Sequence, residues 1–213
     1  MRVLKAYGQM IGGQIIDYKT IGKEEAIKRI KENLLKYEKA YFQDMTYSPG
    51  SLTGDLFNET KDCTDDEEVK SSLSIVNTEI IFEDIGKTPA IFDPYYNTIT
   101  LSCFYFDYTD LLHEAIHFYC KALYEYDMRY SLRNYATVKL YEKLKNKVDN
   151  LEKLITQWLN FDRQYLLLER GSHDILFFLK AIDLEIQIDE KPGSIMGYDA
   201  PKYELIKGYA HPL

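Results

Sequence analysis

The sequence predicts an α+β fold: a mostly helical single domain carrying a small mixed sheet or hairpin against one helix. Three observations lead there. Apolar residues recur at helical spacing through several long segments, whereas residues 79–102 hold short strand-like runs divided by turn residues. At 213 residues and 46% hydrophobic, the chain is long enough to bury one core. No repeats are visible, and residues 1–213 are read most simply as one domain, a small two-lobed arrangement with a cleft being equally allowed.

A first helix is expected over residues 23–43, where Ala26, Ile27, Ile30, Leu34, Tyr37 and Tyr41 form one stripe between lysines and glutamates. Residues 48–72 are rich in Ser, Gly, Asn, Asp and Thr and read as an exposed loop, its acidic run 62–68 a solvated face. Strand-like alternation begins near Leu73. Glu79-Ile80-Ile81-Phe82 reads as one strand, Pro89-Ala90-Ile91-Phe92-Asp93 as a second and Thr98-Ile99-Thr100-Leu101-Ser102 as a third. Pro94-Tyr95-Tyr96-Asn97 makes the last two a hairpin. A helix capped by Thr109 or Asp110 follows, running to about Tyr124.

Further on, Tyr141, Leu144, Val148, Leu151, Ile155 and Trp158 are spaced 3, 4, 3, 4, 3. This seam predicts one long core-packing helix over 136–160, too short in heptads for an intermolecular coiled coil. Residues 164–188 are dense in Leu, Phe and Ile and read as a central helix, with Gly171 marking a kink or a close backbone approach. Residues 192–213 read as an irregular tail.

Charge and cysteine usage exclude several function classes. The net charge is −8 with no sustained Lys/Arg block, which argues against nucleic acid and membrane as partners. Cys63, Cys103 and Cys120 show no C-x-x-C spacing, so neither a disulfide framework nor a cysteine metal site is indicated. The first residues lack the apolar run of a signal peptide and no stretch suits a bilayer span, so a cytoplasmic setting is expected. Oligomeric state is not encoded in any of these features.

The chemistry lies in His113-Glu114-Ala115-Ile116-His117. Histidines four apart on a helix stand one turn above another on one face, so both imidazoles reach a single ion. Glu114 lies beside that face, where it can hold and deprotonate a water on the metal. Leu111, Leu112, Ala115, Ile116, Phe118 and Tyr119 surround the motif with apolar bulk that excludes solvent. Without a partner such as a metal, two histidines and a carboxylate in that stripe would be costly. The arrangement is the H-E-x-x-H of zinc hydrolases, and Zn2+ is the expected cofactor.

On this motif and the preceding hairpin, Ala90 to Pro94 and Asn97 to Ser102, the chain resembles the zincin metallopeptidases. The resemblance implies an edge strand that binds substrate in extended form, with Thr98, Ile99, Thr100 and Leu101 in that place. It also implies a third ligand. Glu169, in Leu167-Leu168-Glu169-Arg170-Gly171-Ser172-His173-Asp174, is similar to the glutamate that the gluzincin branch places on a later helix. His173 is the alternative, giving a three-histidine site, and Asp174 a candidate for orienting a ligand histidine. Ser194-Ile195-Met196-Gly197-Tyr198 looks like the methionine turn of the metzincin branch. Cys120 and Leu123, however, stand where that branch requires glycine and histidine. Cys103 is read as a buried thiol rather than a ligand.

The implied activity is hydrolysis of a peptide or protein substrate, with Glu114 as general base. Tyr198, Tyr203, Tyr209 and His211 are candidates to stabilise the oxyanion, with Tyr198 preferred. The alternative is a catalytically inactive module of the same fold that serves binding, regulation or assembly.

Overall fold

Alternating exposure in a five-residue strand sets one face of a small sheet against the helices. The computed structural model describes residues 9–11, 14–16, 22–41, 78–103, 106, 108–126, 131–165, 173–197 and 202–206. The exposed loop expected over 48–72 lies outside the described residues, as do half of the tail and Glu169. Among the described residues the order is β1 (Gln9–Ile11), β2 (Gln14–Ile16), α1 (Lys23–Tyr41), β3 (Glu79–Glu83), β4 (Ala90–Asp93) and β5 (Thr98–Ser102). Then come α2 (Tyr108–Tyr126), α3 (Ser131–Leu144), α4 (Leu151–Tyr165) and α5 (Ile175–Gln187). The architecture is α+β in one domain.

β1 and β2 pair antiparallel as a separate hairpin. The main sheet has the order β3-β5-β4, with β3 parallel and β4 antiparallel to β5. In β3, Ile80 and Phe82 are buried while Glu79 and Glu83 face solvent, the period-two signature of a one-sided sheet. The β4–β5 turn is tied by Asp93, whose Oδ1 accepts from Tyr95 N at 2.8 Å and Tyr96 N at 3.2 Å. Asn97 closes the turn with φ of 54°, a left-handed conformation that asparagine tolerates.

The helices follow their apolar stripes. Ala26, Ile30 and Leu34 of α1 are buried at steps of four, as are Ala136, Leu140 and Leu144 of α3. In α5 every residue from Leu176 to Ile186 is buried, so this helix is covered on all sides and forms the hub against which α1, α2, α3 and α4 pack. Its one lysine, Lys180, is fully buried and donates to Asp183 at 3.1 Å. Lys143 of α3 pairs with the same carboxylate at 3.0 Å, and Gln187 Nε2 donates to it at 2.7 Å. A buried charge is tolerable only when met in this way.

Two helical expectations are corrected. The seam 136–160 is not one helix: α3 ends at Leu144 and α4 begins at Leu151. Asn150 adopts φ of 53°, which no continuing α-helix admits. Val148 instead forms a bridge with Leu205, sealed by Asp149 N to Glu204 O at 2.9 Å and Ile206 N to Lys147 O at 2.9 Å. Nor is 164–188 a single helix. Asp174 is extended (ψ −172°) and its side chain caps α5, accepting from Phe177 N at 3.0 Å. No helix among the described residues is long and apolar enough to cross a membrane.

Candidate metal centre

α2 supplies the first two ligating side chains for the reason its sequence suggested. Leu111, Leu112, Ala115, Ile116, Phe118, Tyr119 and Cys120 are buried, which seats the helix against β4 and α5. His113 and His117 then share the face that meets α5, with their Nε2 atoms 3.1 Å apart. The third histidine arrives from 56 residues further along: His173 Nε2 lies 3.0 Å from His117 Nε2 and 3.0 Å from His113 Nε2. Three of the chain's four histidines therefore meet at one point.

Position and orientation of each ring have identifiable causes. His173 stands directly before the Asp174 cap, so the start of α5 sets its backbone, and Trp158 Nε1 of α4 donates to its carbonyl at 2.9 Å. The Arg133 guanidinium of α3 pairs with Asp174 from the other side. Phe177 lies beneath all three imidazoles, its ring centroid 4.7, 4.6 and 4.6 Å from those of His113, His117 and His173. His113 Nδ1 lies 2.7 Å from the Ile195 carbonyl. A carbonyl only accepts, so Nδ1 carries the proton and Nε2 presents a lone pair.

The donor set fits a metal ion. Three mutually close Nε2 atoms form three contacts, and a neutral imidazole has one N–H; His113 spends its own on Ile195. The remaining protons cannot bridge all three contacts, so lone pairs face one another unless a cation stands among them. Tetrahedral ligation with Zn–N bonds of about 2.0–2.1 Å separates ligand nitrogens by roughly 3.3–3.4 Å, close to this triangle. Burial pushes the pKa of His113 down to about 4, partly opposed by the Ile195 bond, with the charge of His173 lowering it further. Burial lowers that of His173 too. Neutral imidazoles are the form that ligates.

Glu114 is 8% exposed, and its Oε2 accepts from the backbone N–H of Phe92 in β4 at 2.7 Å. Burial pushes its carboxyl up to about 7; the Phe92 bond opposes the rise and Asp110 adds to it. A carboxyl poised near neutrality on the helix that carries His113 and His117 is suited to proton transfer.

Where the gluzincin resemblance implied a glutamate, the described residues supply a histidine. Glu169 and Tyr198 lie outside the described residues, as do Ser172, Tyr209 and His211. Asp174 does not orient a ligand histidine, because its carboxylate is taken by the α5 cap and Arg133. Tyr203 is not an oxyanion donor: it is buried and its hydroxyl donates to Glu185 at 3.1 Å. Thr98, Ile99, Thr100 and Leu101 lie in β5, the central strand, whose backbone is paired on both sides. An added strand cannot bond there. Neither Cys103, half-buried, nor Cys120, buried with its ionisation pushed up by burial, is in a disulfide among the described residues.

Phe92, Trp158, Phe177, Glu185 and Ile195 were not anticipated as parts of the site. Phe177, four residues after His173, carries a positional signal; the others act through backbone groups or distant contacts. The stretch set aside as a methionine turn does lie against the site, through the Ile195 carbonyl. Comparisons with family models, curated proteins and solved structures yield no match to this chain, so the site is read from its own geometry.

Proposed function

We propose that the protein is a zinc-dependent metallopeptidase in which His113, His117 and His173 hold the ion and Glu114 is the general base. The observation that carries this reading is the convergence of the three Nε2 atoms within 3.0–3.1 Å on the helix that bears Glu114. Zinc at that point would supply a Lewis acid that lowers the pKa of water toward neutrality. Glu114 takes the proton of the attacking water and returns it to the departing amine. The Phe92 N–H holds Oε2 and so fixes the carboxylate while it does so. Phe177 and the apolar face of α2 keep bulk solvent from the imidazoles.

The substrate in this reading is an extended peptide lying along β4 rather than β5. Ser102 N donates to Pro89 O at 2.8 Å, which makes 89/102, 91/100 and 93/98 the bonded pairs of the hairpin. The N–H and C=O groups of Ala90 and Phe92 therefore point away from β5. Glu114 takes the Phe92 N–H, and among the described residues none is bonded to the remaining three groups, which would register a peptide by strand addition.

Elemental analysis and peptide cleavage test the proposal together. Wild type is expected to hold one zinc per chain and to cleave an unstructured polypeptide. Glu114→Gln should keep the zinc and lose turnover, and His117→Ala should lose both. Undiminished cleavage by Glu114→Gln refutes the mechanism. Stoichiometric zinc without cleavage leaves a metal-binding module, and no zinc refutes the site.

A further inference from the structure

Outside the imidazole cluster, one buried carboxylate accepts four hydrogen bonds, none of them from a cation among the described residues. Glu185, on α5, is fully buried. Its Oε1 accepts from Ile195 N at 2.7 Å and Met196 N at 3.4 Å; its Oε2 accepts from Gly193 N at 2.8 Å and Tyr203 Oη at 3.1 Å. Three of the four donors are backbone N–H groups of one turn. That turn is closed by Ser194 N to Lys191 O at 3.0 Å and Gly197 N to Gly193 O at 3.2 Å, with Gly193 and Gly197 at positive φ of 85° and 100°. The side chains of Ile195 and Met196 are buried in the core, while the N–H groups of the turn meet the carboxylate. The carboxylate orders the turn by gathering its N–H groups into a concave anion cradle.

The output of that turn is a single carbonyl. Ile195 O accepts from His113 Nδ1 at 2.7 Å, the contact that leaves His113 Nε2 as a lone pair toward His117 and His173. The peptide unit joining Ile195 to Met196 carries both ends of the link, its N–H toward Glu185 and its C=O toward His113. Metal-ligating histidines are commonly oriented by a carboxylate in direct contact with the second ring nitrogen. Here a carboxylate reaches the ring through an intervening amide, and hydrogen bonds in series polarise one another.

We propose that Glu185 is a positioning residue of the metal centre, holding the 193–197 turn so that the Ile195 carbonyl locks His113 in the tautomer that ligates. This rests on the metal-site reading above. Its chemistry is confined to hydrogen bonds, so no bond is made or broken. Glutamine replaces one of the two oxygens by an NH2, and at either end that NH2 meets a backbone N–H that cannot accept from it, Gly193 on one side or Ile195 and Met196 on the other, so the turn must shift.

The test uses the full chain and zinc alone as the probe. Zinc affinity is measured by competition with a chromophoric chelator for wild type, Glu185→Gln and Asp183→Asn. Asp183 is a buried carboxylate two residues away on the same helix, bonded to Lys143, Lys180 and Gln187 rather than to the turn. Glu185→Gln is expected to weaken zinc by about 10- to 100-fold, the usual cost of removing an outer partner of a ligand histidine. Asp183→Asn, whatever its melting temperature, should stay within about threefold of wild type. In metal-free protein, histidine ring nitrogen NMR should show His113 protonated on Nδ1 in wild type and shifted toward Nε2–H in Glu185→Gln. Should Glu185→Gln not fold, Glu185→Asp, which keeps the charge and shortens its reach, is expected to weaken zinc in the same direction. Equal zinc affinity in wild type and the Glu185 variant, or parallel losses in both carboxylate variants, overturns the inference while leaving the metal site intact. Failure of wild type itself to bind zinc overturns both.

Discussion

In metal-free protein two titratable groups of α2, His113 and Glu114, oppose each other in pH, and Glu114→Gln separates them. A tenfold change in proton affinity is worth about 1.4 kcal/mol. His113 falls from 6.5 to about 4 on burial, which makes it a stabilising contribution of about 3 kcal/mol that is present above pH 6.5 and lost as pH falls toward 4. Glu114 rises from 4.5 to about 7, a contribution of about 3 kcal/mol of the opposite sign: present below pH 4.5 and lost as pH rises through 7. Across the shared window the two slopes cancel, so these groups leave wild-type stability nearly flat with pH. Removing the carboxyl charge leaves the His113 slope alone. Urea unfolding of chelator-treated protein at several pH values between about 4.5 and 7 reads this out. Relative to wild type, Glu114→Gln should gain about 3 kcal/mol of stability on going from the acid to the neutral end of that window. Curves that run parallel at every pH would refute the assignment of opposed, burial-driven shifts to His113 and Glu114.

Two further outcomes follow from the same contacts. Trp158 is the chain's only tryptophan, and its indole N–H is bonded to the His173 carbonyl with ring centroids 6.2 Å apart. Its emission should be quenched stoichiometrically by Co2+ or Cu2+, and His173→Ala should abolish that titration; quenching that survives the substitution would place the ion elsewhere. Asp174→Ala removes the α5 cap together with the Arg133 pair and should cost about 1–2 kcal/mol in urea unfolding. Asp174→Asn, which retains a capping acceptor, should recover most of it, and equal losses in both would assign the effect to the ion pair instead.

The parts of this molecule legible in its sequence are those encoded by side-chain period. α1, α2, β3, β4 and β5 fall where alternation and helical stripes put them, and His113 and His117 share a face because the helix has 3.6 residues per turn. The hairpin β1–β2 was missed, although Gly12-Gly13 stands between its two short apolar runs as a turn signal. The heptad seam misled because Asn150 and the Val148–Leu205 bridge override a local pattern through a tertiary contact. Strand order escaped for a similar reason: nothing within 98–102 tells a central strand from an edge. In the site, the groups that orient side chains are the Ile195 carbonyl, the Phe92 N–H and the His173 carbonyl. Every residue type carries such groups, so composition is silent about them.

The burial of α5 on all sides has a consequence for the order of events during synthesis. α1, α2, α3 and α4 each rest on a helix made after them, so their apolar stripes stay without that support until residue 187 has been joined. These four helices are therefore made before their common scaffold, and docking onto it is a late step. The same step delivers His173 to the pair on α2, and a nascent chain halted before residue 173 would offer zinc only His113 and His117 of the three.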